Sequence, residues 1–126
     1  MTGEIAPGVK SVLVVDDDEH TRLICSVCLE RAGFAVDVAG SAHEALAAAA
    51  TRRYAVVLSD LSLPDMGGWE MIRRLRDGPA SESEFVVMTG YDDVGEMARQ
   101  AGCAGYLVKP VPLDRLIATV RSLSPA

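Results

Sequence analysis

Short apolar runs alternate with stretches of helical spacing along nearly the whole chain. The runs Val12 to Val15, Phe34 to Val38, Ala55 to Ser59, Phe85 to Met88 and Tyr106 to Val108 are rich in valine, as strands buried on both faces of a parallel sheet are. Between and after them lie Glu19 to Ala32, Ala42 to Arg53, Gly68 to Asp77, Asp92 to Ala101 and Leu113 to Leu123, each of helical length. Leu23, Ile24, Val27 and Cys28 form an apolar stripe in the first helix, and Leu113, Leu116, Ile117 and Val120 form one in the last. Both stripes are expected to dock on the sheet. Gly33, Gly78-Pro79, Gly102 and Gly105 punctuate the breaks, and Ser41 stands where an N-cap belongs. Strict alternation with short connections predicts an α/β fold with a parallel sheet, because parallel strands need right-handed crossovers. Ligands of such sheets bind beyond the carboxyl ends of the strands.

At 126 residues, 49% of them hydrophobic, the chain holds one domain with a single core and no room for a second. Residues Met1 to Val9, with Pro7 and Gly8, are expected to form a flexible N-terminal extension, leaving residues 10–124 as the folded unit. No uncharged apolar stretch of about 20 residues occurs, and the N-terminus lacks the order of a secretory signal. A soluble, cytoplasmic protein without membrane contact is the expectation. A formal net charge of -6 repels polyanions and argues against direct binding of nucleic acid. The pairs Arg52-Arg53 and Arg73-Arg74 read as solvated helix ends, where cations complement the dipole. Cys25, Cys28 and Cys103 are an odd set and read as reduced thiols. The Cys25-x-x-Cys28 spacing lies within a helix, away from the strand-to-helix turn a redox pair needs, so buried helical cysteines are expected.

The polar residues that close the apolar runs carry the chemistry. Asp16-Asp17-Asp18 follows the first run, Asp60 the third, Thr89-Gly90 the fourth and Lys109-Pro110 the fifth. Carboxylates gathered from two strand ends repel one another, and a divalent cation relieves this. A carboxylate pair with waters and a phosphate suits Mg²⁺, with Mn²⁺ as a substitute. A carboxylate so held can attack a phosphoryl group, while a Lys and a hydroxyl neutralise the phosphoryl oxygens. Each piece alone has a bland reading as a turn, cap or strand terminator. Four of them, each ending a strand of one α/β domain, point to a Mg²⁺-assisted aspartyl-phosphate site.

With these motifs the chain resembles the receiver domain of two-component response regulators, over Lys10 to Ser122. The likeness rests on Val-Leu-Val-Val-Asp16-Asp17-Asp18, Ser59-Asp60-Leu-Ser-Leu-Pro64-Asp-Met-Gly-Gly68, Met88-Thr89-Gly90 and Tyr106-Leu-Val-Lys109-Pro110. The resemblance implies a flavodoxin-like five-stranded parallel sheet of order 2-1-3-4-5, flanked by five helices. It implies Asp60 as phosphoacceptor, and Asp17, Asp60 and the Ser62 carbonyl as Mg²⁺ ligands, with Asp16 acting through water. It implies Thr89, Gly90 and Lys109 on the phosphoryl group, Thr89 and Tyr106 as the switch, and a cis Lys109-Pro110 peptide. The donor would be a histidine kinase or histidine phosphotransfer protein. The protein would be a monomer or weak dimer, and it would catalyse only its own phosphorylation and dephosphorylation. It would serve as a single-domain regulator, a relay or the receiver of a hybrid kinase, a type that Thr89-Gly-Tyr91 and Leu-Val-Lys-Pro-Val111 resemble. The chain departs from the family in a short Thr89 to Lys109 stretch, which predicts a clipped or displaced fourth helix, and in Gly67, where an Asp is common. Ser62 and Tyr91 are placed to tune hydrolysis, with a bulky Tyr91 slowing it.

Two rivals have their own signatures. A haloacid-dehalogenase-like Mg²⁺-dependent phosphohydrolase would use Asp16 as nucleophile, but His20 is wrong for its motif and Asp60 would have no role. A pure interaction module would keep the fold without being phosphorylated. Trp69 reads as a packing residue, and His20 and His43 as solvent-facing helix residues.

Overall fold

The computed structural model describes residues 9–124, so the expected N-terminal extension lies, apart from Val9, outside the described residues. Five strands and five helices alternate: β1 (Ser11–Val15), α1 (Glu19–Arg31), β2 (Ala35–Ala39), α2 (Ala42–Thr51), β3 (Val56–Asp60), α3 (Gly68–Arg76), β4 (Glu84–Thr89), α4 (Gly95–Gln100), β5 (Gly105–Val108) and α5 (Leu113–Leu123). The strands form one parallel sheet in the order β2-β1-β3-β4-β5. This is the flavodoxin-like arrangement.

Successive strand residues face opposite sides of a sheet, and the valine runs divide accordingly. Leu13, Val15, Val57 and Val87 point into a core built with Ala45 and Ala49 of α2 and Met71, Ile72 and Leu75 of α3. Val12, Val14, Val56 and Leu58 point the other way, onto Cys25 and Leu29 of α1 and Leu116 and Val120 of α5. Each fully buried leucine or valine contributes about 1.5–3 kcal/mol. The sheet therefore needs both faces covered, which is why the runs lack polar alternation.

Helix ends follow local chemistry. Ser41 accepts the Glu44 amide at 3.2 Å as the N-cap of α2, and Gly33, at φ 102°, turns the chain out of α1. Three expectations need correction. In α1 the buried residues are Cys25 and Leu29, whereas Leu23, Ile24 and Val27 are exposed. The helix meets the sheet on its i, i+4 pair, and the aliphatic stripe lines a groove shared with Leu113 and Ile117 of α5. Of the α5 stripe, Leu116 and Val120 are buried while Leu113 is exposed. The Arg52-Arg53 pair lies past the end of α2, where Arg52 bonds Asp37 at 3.0 Å and Arg53 pairs with Glu82 at 3.3 Å. The backbone turns extended at Arg52, φ -148° and ψ 146°, with its amide still bonded to the Ala48 carbonyl.

The fourth helix is clipped: it begins at Gly95, three residues later than its expected start at Asp92. The Asp92 carbonyl takes the Tyr106 hydroxyl at 3.1 Å, a tertiary partner in place of an amide one turn on. Edge strand β2 is also only partly covered, with Val38 exposed. Among the described residues, no helix is long and apolar enough to cross a membrane.

Candidate functional site

Parallel register brings the strand ends level. Val15 pairs with Ser59, Asp60 with Met88 and Thr89 with Val108, so Asp16, Asp60, Thr89 and Lys109 all emerge at one edge. Ladder bonds continue past the strands: the Asp16 amide donates to Ala39 at 3.0 Å, and the Lys109 amide donates to Thr89 at 2.7 Å. The Lys109-Pro110 peptide is cis.

The acids divide their work. Asp16 is fully buried, and its carboxylate accepts the Asp18 amide at 2.9 Å and the Lys109 ammonium at 2.6 Å. Asp60 accepts the same ammonium at 3.2 Å and the Ser62 amide at 3.2 Å, and its side chain remains 14% exposed. Asp17 is exposed beside them, and carboxylate oxygens of Asp16, Asp17 and Asp60 lie within 4.8 Å of one another. Asp18 belongs to the helix instead, accepting the Thr21 hydroxyl at 2.6 Å and amide at 3.2 Å as the N-cap of α1. The Thr21 hydroxyl is the main reason its carboxyl sits below the usual range.

Three carboxylates this close repel by about 4 kcal/mol per pair at 4 Å and an effective dielectric near 20. Lys109 offsets part of this. Burial works against its ammonium, but hydrogen bonds and charge from Asp16 and Asp60 outweigh burial and hold its pKa above the ordinary value. The donor set is all oxygen, with two partly open carboxylates next to a buried third, and this fits Mg²⁺ with retained waters.

Thr89 is buried, and its hydroxyl oxygen accepts the Tyr91 amide at 3.2 Å. Among the described residues its O–H donates to no protein group, so the donor is free for an incoming oxyanion. The Tyr91 side chain projects into solvent. Tyr106 is half-buried against the core, its hydroxyl held by Asp92. Gly90 has open space where a Cβ would stand.

Two supporting residues escaped the sequence reading. The Arg22 guanidinium donates to the Asp16 carbonyl at 2.7 Å and lies against Gly40, tying the acid turn to the loop after β2. Asp65 accepts the amides of Ala42 and His43 at 2.9 Å each and pairs with the His43 ring. The loop after Asp60 is thereby fastened to the start of α2, and His43 is a paired residue despite its exposure. Nothing local marks Arg22. The run Pro64-Asp65-Met-Gly carries a turn signal, but not the partner.

The cysteines are free. Burial pushes the Cys25 and Cys103 thiols up to about 11, far from the thiolate character a redox pair requires. The rival nucleophile fares no better. A phosphohydrolase would need Asp16 open to substrate, and that side chain is fully buried with both oxygens engaged.

The sequence profile described as "Response regulator receiver domain" matches residues 12–121. The transcriptional regulatory protein HprR of Escherichia coli (strain K12) is 30% identical over 113 residues, covering 88% of this chain and 50% of its own length. This chain thus spans half of that relative. The chemotaxis response regulator CheY4 of Vibrio cholerae superposes with a TM-score of 0.86 at 30% identity, covering 91% of this chain and 98% of that one. A Burkholderia pseudomallei response regulator, solved with a phosphorylated aspartic acid, calcium ion and citrate, superposes at 0.80 with 31% identity, over 88% of this chain and 66% of that one. A profile match across almost every described residue, on a sheet wound in the same order, makes this chain a member of the response regulator receiver domains, the signalling modules of two-component systems.

Proposed function

We propose that Asp60 takes a phosphoryl group from a phosphohistidine on a histidine kinase or histidine phosphotransfer protein. One observation carries this: of the two carboxylates that share Lys109, Asp60 is the one whose side chain is open to solvent, 14% exposed against 0% for Asp16. An Asp60 oxygen attacks phosphorus in line as the P–N bond to the donor imidazole breaks, and the bonding pair leaves with that nitrogen, which then takes a proton. Lys109 shifts from the carboxylates toward the phosphoryl oxygens, and the Thr89 hydroxyl donates to another. The Gly90 amide is a third donor. Asp17, Asp60 and the Ser62 carbonyl would hold Mg²⁺, with Asp16 through water. Bound there, it would neutralise charge on the acids and on the transferring group. The Burkholderia pseudomallei relative, with its phosphorylated aspartic acid and calcium ion, supports this reading.

The donor protein would dock on the apolar groove of about 390 Å³ beside Lys109, where Ile24 of α1 and Leu113 of α5 stand open. Phosphorylation draws Thr89 inward, and Tyr106 exchanges Asp92 for the space behind it. A full switch from 1:99 to 99:1 needs about 5.5 kcal/mol, more than one charged hydrogen bond supplies. Partial activation, completed by a partner, follows. The unit would span residues 10–124 and act in the cytoplasm, as a monomer or weak dimer.

The test is mass spectrometry after incubation with acetyl phosphate and Mg²⁺ or Mn²⁺. A gain of one phosphoryl group is expected in the wild type and in neither Asp60→Asn nor metal-free protein. Label retained in Asp60→Asn but lost in Asp16→Asn would sink the assignment.

A further inference from the structure

The clipped α4 leaves a gap on the face of the molecule that carries α3. Helices α3 and α4 barely touch, and the bridge between them is polar: Arg76 donates to the α4 C-terminal carbonyl of Ala101 at 2.6 Å and lies across Gly102. A Cβ on Gly102 would stand 2.5 Å from the Arg76 guanidinium carbon. The space that remains is an open groove of about 510 Å³. Half-buried Trp69 and exposed Met97 supply its apolar surface, and Arg73 and Arg76 stand along it.

Charge distinguishes this groove from the rest of an acidic chain of net charge -6. Its one carboxylate, Glu70, is taken by Arg74 at 2.6 Å. Arg73 pairs with no carboxylate among the described residues, and Arg76 meets only a carbonyl, so two guanidiniums are left without counter-ions. Tryptophan, methionine and arginine together are what protein contact sites enrich.

We infer that the α3–α4 groove is a docking site for a short acidic segment of a partner protein, with an aromatic or aliphatic side chain against Trp69 and Met97 and carboxylates on Arg73 and Arg76. Two guanidiniums match two or three carboxylates. They do not match a nucleic acid, whose many phosphates meet the surrounding net negative field. The groove lies on the helix that follows the Asp60 loop, but the inference stands apart from phosphorylation and is tested on unphosphorylated protein.

The probe is a fluorescein-labelled nonapeptide in which Asp and Glu flank one Leu and one Phe. Controls are the same peptide with Lys for each acid and an oligothymidine of similar length. Anisotropy at low salt reads binding, and Trp69 emission with unlabelled peptide locates it. Saturable binding of the acidic peptide with a shift in Trp69 emission is expected, weakened about tenfold or more, that is about 1.4 kcal/mol, by Arg73→Glu. Arg73 is exposed and bonds no backbone group, so the variant keeps its fold by circular dichroism. Val38→Glu, on the exposed side of edge strand β2, is expected to bind as wild type. No saturation by about 1 mM, equal binding of the Lys peptide, tighter binding of the oligothymidine, or indifference to Arg73→Glu each overturns the inference.

Discussion

A Cβ added to Gly68 would lie 2.6 Å from the Cα of Leu61 and 2.9 Å from the Asp60 carbonyl oxygen. The Gly68 amide donates to Leu61 at 3.0 Å, so the start of α3 rests directly on the backbone that presents Asp60. Backbone cannot move aside as the tip of a long side chain can. Gly68→Ala is expected to destabilise the protein by about 1–3 kcal/mol, the usual range for overpacking, and to slow phosphoryl uptake by displacing the loop. Urea denaturation checks the first part, and a loss below about 0.5 kcal/mol would show that the loop yields freely.

Lys109 competes with any cation for Asp16 and Asp60. Lys109→Met is therefore expected to tighten Mg²⁺ binding about tenfold, or about 1.4 kcal/mol, while phosphoryl uptake from acetyl phosphate falls sharply. Calorimetric titration with Mg²⁺ measures the first, and unchanged or weaker affinity would mean that the ammonium does not oppose the cation. Without metal the variant should also melt lower, because removing one partner leaves the buried Asp16 charge uncompensated.

The amides of Ala42 and His43 hold the Asp65 carboxyl down at about 2, from an ordinary value of 3.8. A depressed acid contributes stability that is fully present above its unfolded value and is lost as pH falls through its folded value. Between about pH 4 and pH 2, wild type should lose stability more steeply than Asp65→Asn. Thermal melts across that window compare the two, and parallel curves would remove Asp65 as a determinant of acid stability.

At the opposite end of the sheet, the Tyr54 hydroxyl donates to Asp37 at 2.6 Å, and Arg52 donates to the same oxygen at 3.0 Å. Burial, and then the Asp37 bond, raise the Tyr54 phenol well above its ordinary value. Asp37→Ala leaves a buried hydroxyl unsatisfied and is expected to destabilise by about 1–3 kcal/mol. Tyr54→Phe should make that loss smaller in the double variant, a coupling that a double-mutant cycle measures.

Valine runs and helical spacing were enough to give ten elements in the right order, because burial on both faces demands continuous apolar strands whatever their neighbours. The strand-end residues Asp16, Asp60, Thr89 and Lys109 were legible for a related reason: parallel strands must place their carboxyl ends on one side, so chemistry collected there converges. The helix faces were less readable. Leu23, Ile24 and Val27 look like a docking stripe in one dimension, and only the crossing of α1 over the sheet selected Cys25 and Leu29 instead.

By itself, then, the sequence determined the alternation of parallel strands with helices and the list of reactive groups, since these follow from periodicity and from residues adjacent in the chain, while the order of the strands came from the family resemblance. Tertiary structure alone decided which acid is sealed and which is open, that Arg22 and Asp65 brace the site, and that a shortened α4 exposes a basic groove. Those outcomes depend on distances between segments far apart in the chain, and no local pattern encodes such distances.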